Sequence, residues 1–199
     1  MDIRIAQGSI TDFVRKDGRT AIVNAANVAG LGGGGVDGAI HKVATRALRD
    51  LIEREFPILY SDVRIPVAGN ITTEGFGMAD MIIHTVGPIF PTDGARQASF
   101  VGEREALAEP DYDPERLLYE ALRNVFITAI RHRVWSLAIP AISCGVFGCP
   151  FPTFAKCLHR ALRRVNVDVT VVLFQDAEVE AFTDAWNALS TVHMVPLEG

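Results

Sequence analysis

The chain has 199 residues, of which 49% are hydrophobic and 22% charged, and its formal net charge is -5 at pH 7. A chain of this length and composition can bury the core of one domain, which argues against extensive disorder. The acidic balance argues against a protein that binds nucleic acid strongly through a basic face, but it allows a small anion to be held by backbone amides.

The first half of the sequence predicts a strand, a short helix, a buried strand and a long amphipathic helix, followed by three strands: residues 3–8, 9–16, 20–26, 36–56, 62–69, 70–76 and 80–86. Ser9 is the expected N-cap of the short helix. The run TAIVNAA at 20–26 is too uniformly apolar for a half-exposed strand, which predicts burial on both faces. Pro57 ends the long helix.

The second half opens with a polar segment without periodicity, residues 90–114, which we interpret as a long loop or insertion. A helix, a strand, a helix, a strand and a last helix follow: residues 114–133, 134–142, 151–165, 167–174 and 176–190. Pro114 suits the first turn of its helix, and Asp176 is the expected N-cap of the last one. Residues 191–199 are expected to form a loose tail.

This alternation predicts an α/β domain with helices on both faces of a mostly parallel sheet. Such sheets bind ligands outside the carboxyl ends of their strands. Two segments, the first glycine-rich loop at 30–38 and the second glycine-rich loop at 143–148, each follow a predicted buried strand. We therefore expect both loops on the same rim.

The composition of the two loops is typical of an anion site. Glycine allows the backbone to approach a ligand closely, and successive exposed amides ahead of a helix N-terminus bind anions. Two such loops on one rim suit a diphosphate better than a single phosphate. The alternative is a tight turn without a ligand, but the four consecutive glycines at 32–35 exceed what a turn needs.

Two familiar nucleotide motifs fit the first loop poorly. Residues 33–38 match GxGxxG, but a dinucleotide site also needs an acidic residue about 20 positions later, at the end of the next strand. Glu53 and Glu55 lie inside the predicted helix, and Asp62 precedes a strand. A P-loop is excluded because no Gly-Lys-Ser/Thr follows the glycines.

Four motifs carry a resemblance to a known family: NAAN, LGGGGVDGAIH, IIHTVGP and AIPAISCGVFGCP, which begin at residues 24, 31, 82 and 138. In this order they resemble the macrodomain family, and within it the MacroD-type group. The resemblance implies one domain over residues 1–190, with a three-layer α/β/α fold around a central mixed, mostly parallel sheet. It also implies a hydrolase that removes mono-ADP-ribose from acidic side chains of proteins and deacetylates O-acetyl-ADP-ribose, without metal or cofactor.

The resemblance assigns roles to individual residues. Asn27 matches the family asparagine at the distal ribose, and an amide suits a diol because it both donates and accepts. Asp37 matches the catalytic carboxylate, which activates a water or holds the ribose hydroxyls; taken alone, it also fits a helix N-cap. The other positions that match ADP-ribose contacts are Ser9, Ile10, Asn24, Ala26, Gly33, Gly34, Gly35, Val36, Ser143, Cys144, Gly145, Val146 and Phe147.

Three features depart from the family pattern. Ser9 stands where the family has an aspartate that contacts adenine, so we expect backbone groups near Ile10 to hold the base, with Ser9 or Asp12 assisting. Phe147 stands where many members have tyrosine, which removes a hydroxyl. The segment 90–114 is longer than in this group, and it is interpreted either as a lid over the rim or as a surface loop.

The remaining reactive side chains favour structural roles. His41 and His84 lack convergent metal ligands and are interpreted as structural. The helix after the second loop would lower the pKa of Cys144, although a catalytic cysteine would want a histidine partner. Three cysteines without a CxxC spacing argue against disulfides.

The predicted partners are ADP-ribose and mono-ADP-ribosylated proteins. The chain lacks a signal-peptide pattern and a long apolar run, which predicts a protein without membrane contact, cytoplasmic or nuclear in a eukaryote. We also expect a monomer. The alternative function is a non-catalytic ADP-ribose reader, which would not need the carboxylate of Asp37. A third is a metabolite hydrolase acting on O-acetyl-ADP-ribose or ADP-ribose-1″-phosphate.

Overall fold

A six-stranded sheet organises the described part of the computed structural model, which comprises residues 3–13, 18–27, 33–43, 71–74, 79–91 and 110–191. The strands in chain order are β1 (Arg4–Gln7), β2 (Thr20–Ala26), β3 (Ile71–Glu74), β4 (Met81–Val86), β5 (Ser136–Pro140) and β6 (Asp168–Leu173). They lie in the order β1-β6-β5-β2-β4-β3.

Five neighbouring strands pair in parallel, in the order β1, β6, β5, β2 and β4. Their carboxyl ends therefore share one edge of the sheet. Among the described strands, only the four-residue β3 pairs antiparallel, with β4 at the far edge. The prediction of a mostly parallel sheet is therefore confirmed. The predicted mixed character does not extend into the strands that carry the two glycine-rich loops, which all run in one direction.

Helices lie on both faces of the sheet. They are α1 (Gly35–Val43), α2 (Pro114–Arg131), α3 (Phe151–Ala161) and α4 (Asp176–Thr191), with a 3-10 turn at Ile10–Asp12. The helices α2, α3 and α4 pack with one face of the sheet in a single apolar cluster, and α1 and the 3-10 turn pack with the other face. This is the predicted three-layer arrangement.

Strand β2 shows why both faces must be covered. Ala21 and Val23 belong to the cluster under α2 and α3, whereas Ile22 and Ala26 belong to the cluster under α1. Successive side chains of a strand point to opposite faces, so a uniformly apolar strand is stable only between two layers.

The helix starts follow local capping. Asp113 accepts a hydrogen bond from the backbone N–H of Arg116 at 3.0 Å, and Pro114 occupies the first turn of α2. The prediction that Asp176 caps the last helix is wrong, because Asp176 already lies within α4. Glu178 instead reaches back and accepts the backbone N–H groups of Phe174 and Gln175 at 2.8 and 3.1 Å.

The connections from β2 and β5 define the crevice. These neighbouring strands both end at the carboxyl edge, but β2 leads into α1 on one face and β5 leads into α3 on the other. The loops after these two strands therefore diverge, and ligands of open α/β sheets bind at such a point.

Several predictions fall outside the described residues: the continuation of the 36–56 helix beyond Val43, the strand at 62–69, most of the 90–114 segment, and the tail after Thr191. Within the described residues, no helix combines the length and apolar character that crossing a membrane requires.

Candidate functional site

The described end of the first glycine-rich loop lies against Asn27 and Asp37. Gly33, Gly34 and Gly35 are exposed, and Asn27 is half-buried at the end of β2. A methyl group on Gly33 would lie 3.3 Å from Asn27 Nδ2 and 3.7 Å from Asp37 Oδ2. The structure thus brings the predicted ribose residues and the predicted phosphate loop together.

Asp37 is a buried carboxylate held by two amides. It lies in the first turn of α1 and is only 4% exposed. Asn24 Nδ2 donates to its Oδ1 at 2.8 Å, and Asn27 Nδ2 donates to its Oδ2 at 3.2 Å. Each oxygen therefore receives a hydrogen bond, and the side chain turns inward under the loop. The simple N-cap interpretation fails, because Asp37 lies inside the helix.

A pair of histidines borders this carboxylate. His41, one helical turn after Asp37, places Nε2 3.4 Å from Asp37 Oδ1. His84 on β4 lies opposite Asn24 on β2, and its Nδ1 is 3.0 Å from Asn24 Nδ2. Both Asn24 and His84 are fully buried. Asn24, a predicted ADP-ribose contact, thus lies beneath the surface, and His84 is the predicted hydrogen-bonded core residue.

Burial keeps His84 neutral. It lowers the pKa of His84 from 6.5 to about 4; Asp37 opposes this change and His41 reinforces it. Neutral His84 accepts the Asn24 N–H at Nδ1, so its ring proton sits on Nε2.

The lowered pKa of His84 predicts acid destabilisation. Stability from the neutral ring is complete above pH 6.5 and is lost as the pH falls toward 4, because the unfolded chain takes up a proton that the folded chain refuses. The free energy of unfolding is measured with urea at pH 7.5 and at pH 4.5. Between these two pH values, wild type should lose roughly 2–3 kcal/mol more unfolding free energy than His84→Asn loses. Equal losses in the two proteins would contradict this prediction.

The second glycine-rich loop closes on itself beside β4. Cys149 N–H donates to the carbonyl of Ser143 at 2.9 Å, while Gly145 and Val146 remain exposed. Ser143 is buried, and its hydroxyl packs closely on Gly87. A methyl group on Gly87 would overlap the Ser143 hydroxyl. The loop thus presents Gly145 and Val146 to the crevice from a fixed base.

Both described ends of the 90–114 segment meet beside this loop. Phe90 N–H donates to the carbonyl of Phe147 at 2.7 Å. The Tyr112 hydroxyl accepts the N–H of Ile89 at 2.9 Å and donates to its carbonyl at 2.8 Å. The segment therefore leaves and re-enters the fold at the rim of the crevice.

Cys144 does not have the predicted low pKa. The hydrogen bond with Cys149 and burial both raise the pKa of its thiol. These two effects on the pKa of Cys144 are larger than the lowering expected from the N-terminus of the helix after the loop. A thiol with a raised pKa is a poor nucleophile, so a nucleophilic role loses its support. The three cysteines are free, and among the described residues no cluster of three or more His, Cys, Asp or Glu side chains could hold a metal.

The opposite end of the crevice lies at β1 and β6. Gly8 N–H donates to the carbonyl of Leu173 at 2.8 Å. The hydroxyl of Ser9 is engaged with Thr11, whose backbone N–H lies 3.3 Å and hydroxyl 2.7 Å away. Ile10 is buried, so its side chain supports this end from below, while Asp12 in the same turn is exposed.

Phe174 is a candidate site residue that the sequence analysis missed. It directly follows β6, is 70% exposed, and lies on the same edge as both glycine-rich loops. An exposed aromatic ring on this rim offers a stacking surface. The available signal was the phenylalanine that ends the apolar run VDVTVVLF, which we assigned to the strand.

The remaining predicted contacts divide by burial. Ile10 and Ala26 belong to the core under α1, and Val36 packs against it. They support the rim from below. Gly33, Gly34, Gly35, Gly145 and Val146 are exposed, and Ser9, Asn27, Cys144 and Phe147 are half-buried.

This fold and crevice occur in a known protein family. The macro domain family model matches residues 23–158, which include both glycine-rich loops and Asp37. The chain therefore belongs to the macrodomain family.

Individual relatives agree with this assignment. A macro domain-containing protein of Vibrio parahaemolyticus is 37% identical over 201 residues, covering 96% of this chain and 98% of the relative. A protein of Salmonella typhimurium named O-acetyl-ADP-ribose deacetylase is 36% identical over 171 residues, covering 84% of this chain and 79% of the relative. The Oceanobacillus iheyensis macrodomain, solved with ADP, has a TM-score of 0.72 at 29% identity, covering 94% of this chain and 91% of that one.

Proposed function

We propose that this chain binds ADP-ribose along the crevice, with the diphosphate between the two glycine-rich loops. The exposed backbone at Gly33–Gly35 and Gly145–Val146 can supply amide donors at the carboxyl edge. The similarity to the Oceanobacillus macrodomain, solved with ADP and, as a glycine variant, with ADPR, supports the same ligand here.

The strand order and the family resemblance together suggest a direction for the ligand. Phe174 and Ser9 follow β6 and β1, the second loop follows β5, and Asn27 follows β2. Base, diphosphate and distal ribose of ADP-ribose follow one another in the same way. Because the family resemblance puts the distal ribose by Asn27 and Asp37, we propose that the adenine lies at the other end, by Phe174 and the backbone near Ile10.

This placement predicts a role for Phe174. Phe174→Ala should weaken ADP-ribose binding in calorimetry about tenfold, because stacking on a base contributes about 1–3 kcal/mol. Trp135→Ala is the matched control: Trp135 is 71% exposed but precedes β5 at the opposite edge. Wild-type affinity of Phe174→Ala would mean that the base lies elsewhere.

The chemistry that we propose is hydrolysis of a carboxylic ester on the distal ribose. The observation that carries it is the buried carboxylate of Asp37, which is held by Asn24 and Asn27 and lies beside Asn27 at the proposed ribose end. Water adds to the ester, the bond to the leaving oxygen breaks, and a free carboxylic acid and a ribose hydroxyl result. Asp37 orients or activates this water, or holds the ribose hydroxyls, and Asn27 binds the diol.

Two substrates share this chemistry. ADP-ribose linked to a protein glutamate or aspartate and O-acetyl-ADP-ribose are both esters at the distal ribose, so one site serves for both. The relative named O-acetyl-ADP-ribose deacetylase supports the second substrate directly. The partners are then mono-ADP-ribosylated proteins, and the proposed reaction needs neither metal nor cofactor.

The site assignment also agrees with variants of a relative. The Oceanobacillus macrodomain was solved with an asparagine and with an aspartate replaced by alanine, at positions ten residues apart. Asn27 and Asp37 have the same spacing.

The experiment that tests this function measures two products from wild type. One is free ADP-ribose released from a protein with Glu/Asp-linked mono-ADP-ribose, and the other is acetate released from O-acetyl-ADP-ribose. Release of acetate alone would make the chain a metabolite hydrolase. Binding of ADP-ribose with neither release would make it a reader and exclude the hydrolase.

A further inference from the structure

We infer that His84 is a positioning residue, which acts through the side-chain amide of Asn24 to fix the orientation of Asp37. This inference rests on the proposed function, in which Asp37 acts at the distal ribose. His84 and Asn24 are fully buried, so neither contacts the ligand itself. Their effect on the reaction must pass through the carboxylate.

The sheet register creates the contact. Asn24 on β2 and His84 on β4 are direct partners in the parallel pairing of these strands. Both side chains point to the face covered by α1, which carries Asp37 in its first turn. The two hydrogens of Asn24 Nδ2 are thereby divided between Asp37 Oδ1 at 2.8 Å and His84 Nδ1 at 3.0 Å.

The oxygen end of the same amide has no anchor among the residues that the structure describes. Among the described residues, no donor reaches Asn24 Oδ1, although the atom is buried. Asp37 and His84 are therefore the two groups that hold the amide plane. Without the histidine acceptor, the amide would be held at one point, and its N–H could swing away from the carboxylate.

The protonation of His84 decides whether it can accept. Among the described residues, the titratable groups that face it are Asp37 and His41, both on α1. Burial lowers the pKa of His84 to about 4, so at neutral pH Nδ1 carries a lone pair toward Asn24. A proton on Nδ1 would make this atom a donor facing the N–H donor of Asn24, and the hydrogen bond between them would be lost.

A matched pair of variants tests this role. Asn and Leu have the same side-chain shape, but only Asn can offer an acceptor oxygen near the place of Nδ1. In ester hydrolysis, His84→Leu should lower kcat about tenfold or more while KM and the Kd for ADP-ribose stay within about twofold. His84→Asn should keep kcat within about threefold of wild type. Equal losses of kcat in both variants would reduce His84 to core packing and overturn the inference.

A second readout does not depend on activity. The two Nδ2 protons of Asn24 should give separate, slowly exchanging signals in nitrogen-15 NMR spectra of wild type and His84→Asn, and lose this protection in His84→Leu. If wild type hydrolyses neither substrate, the proposed function fails, but these signals still decide the positioning. Unchanged Asn24 signals in His84→Leu would overturn it.

Discussion

Asp37→Ala is expected to lower the release of ADP-ribose from a Glu/Asp-modified protein by about 100-fold to 1,000-fold. The variant removes the carboxylate that lies next to Asn27 and Gly33, at the proposed ribose end of the crevice. ADP-ribose binding should fall by less than about tenfold, since the diphosphate and base contacts remain. Release is measured by chromatography of free ADP-ribose, and binding by calorimetry.

The control must separate chemistry from folding. Asp184 on α4 is an exposed aspartate outside the crevice, so Asp184→Ala should leave both measurements unchanged. Asp37→Ala also removes one of the two acceptors of the buried Asn24 amide, so the unfolding midpoint of the variant is measured alongside. A folded Asp37→Ala protein that releases ADP-ribose at the wild-type rate would exclude this carboxylate from the reaction.

The sequence predicted the layers and the two loops because these depend on local patterns. The run TAIVNAA has no polar face, so it had to be buried on both sides as β2. The glycines come directly after apolar runs, and the loops after parallel strands begin at one common edge of the sheet. Family resemblance then supplied roles for Asn27 and Asp37 that composition alone leaves open.

The sequence could not show which polar residues lie beneath the surface. Asn24 and Asn27 differ by three positions in one motif, yet Asn24 is fully buried and Asn27 is half-exposed. That difference arises from the pairing of Asn24 with His84, which is 60 residues away in the chain. The prediction of a low pKa for Cys144 is wrong for a similar reason. The largest effect on this pKa comes from Cys149, which the closure of the second loop brings next to Cys144.

Two further misses concern the ends of elements. Phe174 was assigned as the last residue of an apolar strand, but β6 stops one residue earlier and leaves its ring on the rim. Asp176 is a good N-cap by type, but Glu178 takes the orphan N–H groups from inside α4. Propensity gives the candidates at a helix start, and only the geometry of the chain selects among them.

Gly38→Ala is expected to damage the site by displacing the first glycine-rich loop. The carbonyl oxygen of Gly33 lies so close to the Cα of Gly38 that a methyl group there would overlap it. Glycine to alanine inside a helix usually stabilises by about 1 kcal/mol, but here overpacking should destabilise by about 1–3 kcal/mol. Gly33 would move away from Asn27 and Asp37, and ADP-ribose affinity should fall about tenfold or more.

Gly34→Ala is the matched comparison for this prediction. A methyl group at Gly34 meets nothing within 4 Å, so the folded chain has room for it. Thermal unfolding should therefore separate the two variants by about 1 kcal/mol or more, with Gly38→Ala the weaker. If Gly38→Ala matches Gly34→Ala in stability and binds ADP-ribose like wild type, the loop tolerates displacement and the crevice is not preorganised by this contact. If only Gly38→Ala loses both stability and ADP-ribose affinity, then the absence of a side chain at Gly38 allows the first glycine-rich loop to lie against Asn27 and Asp37.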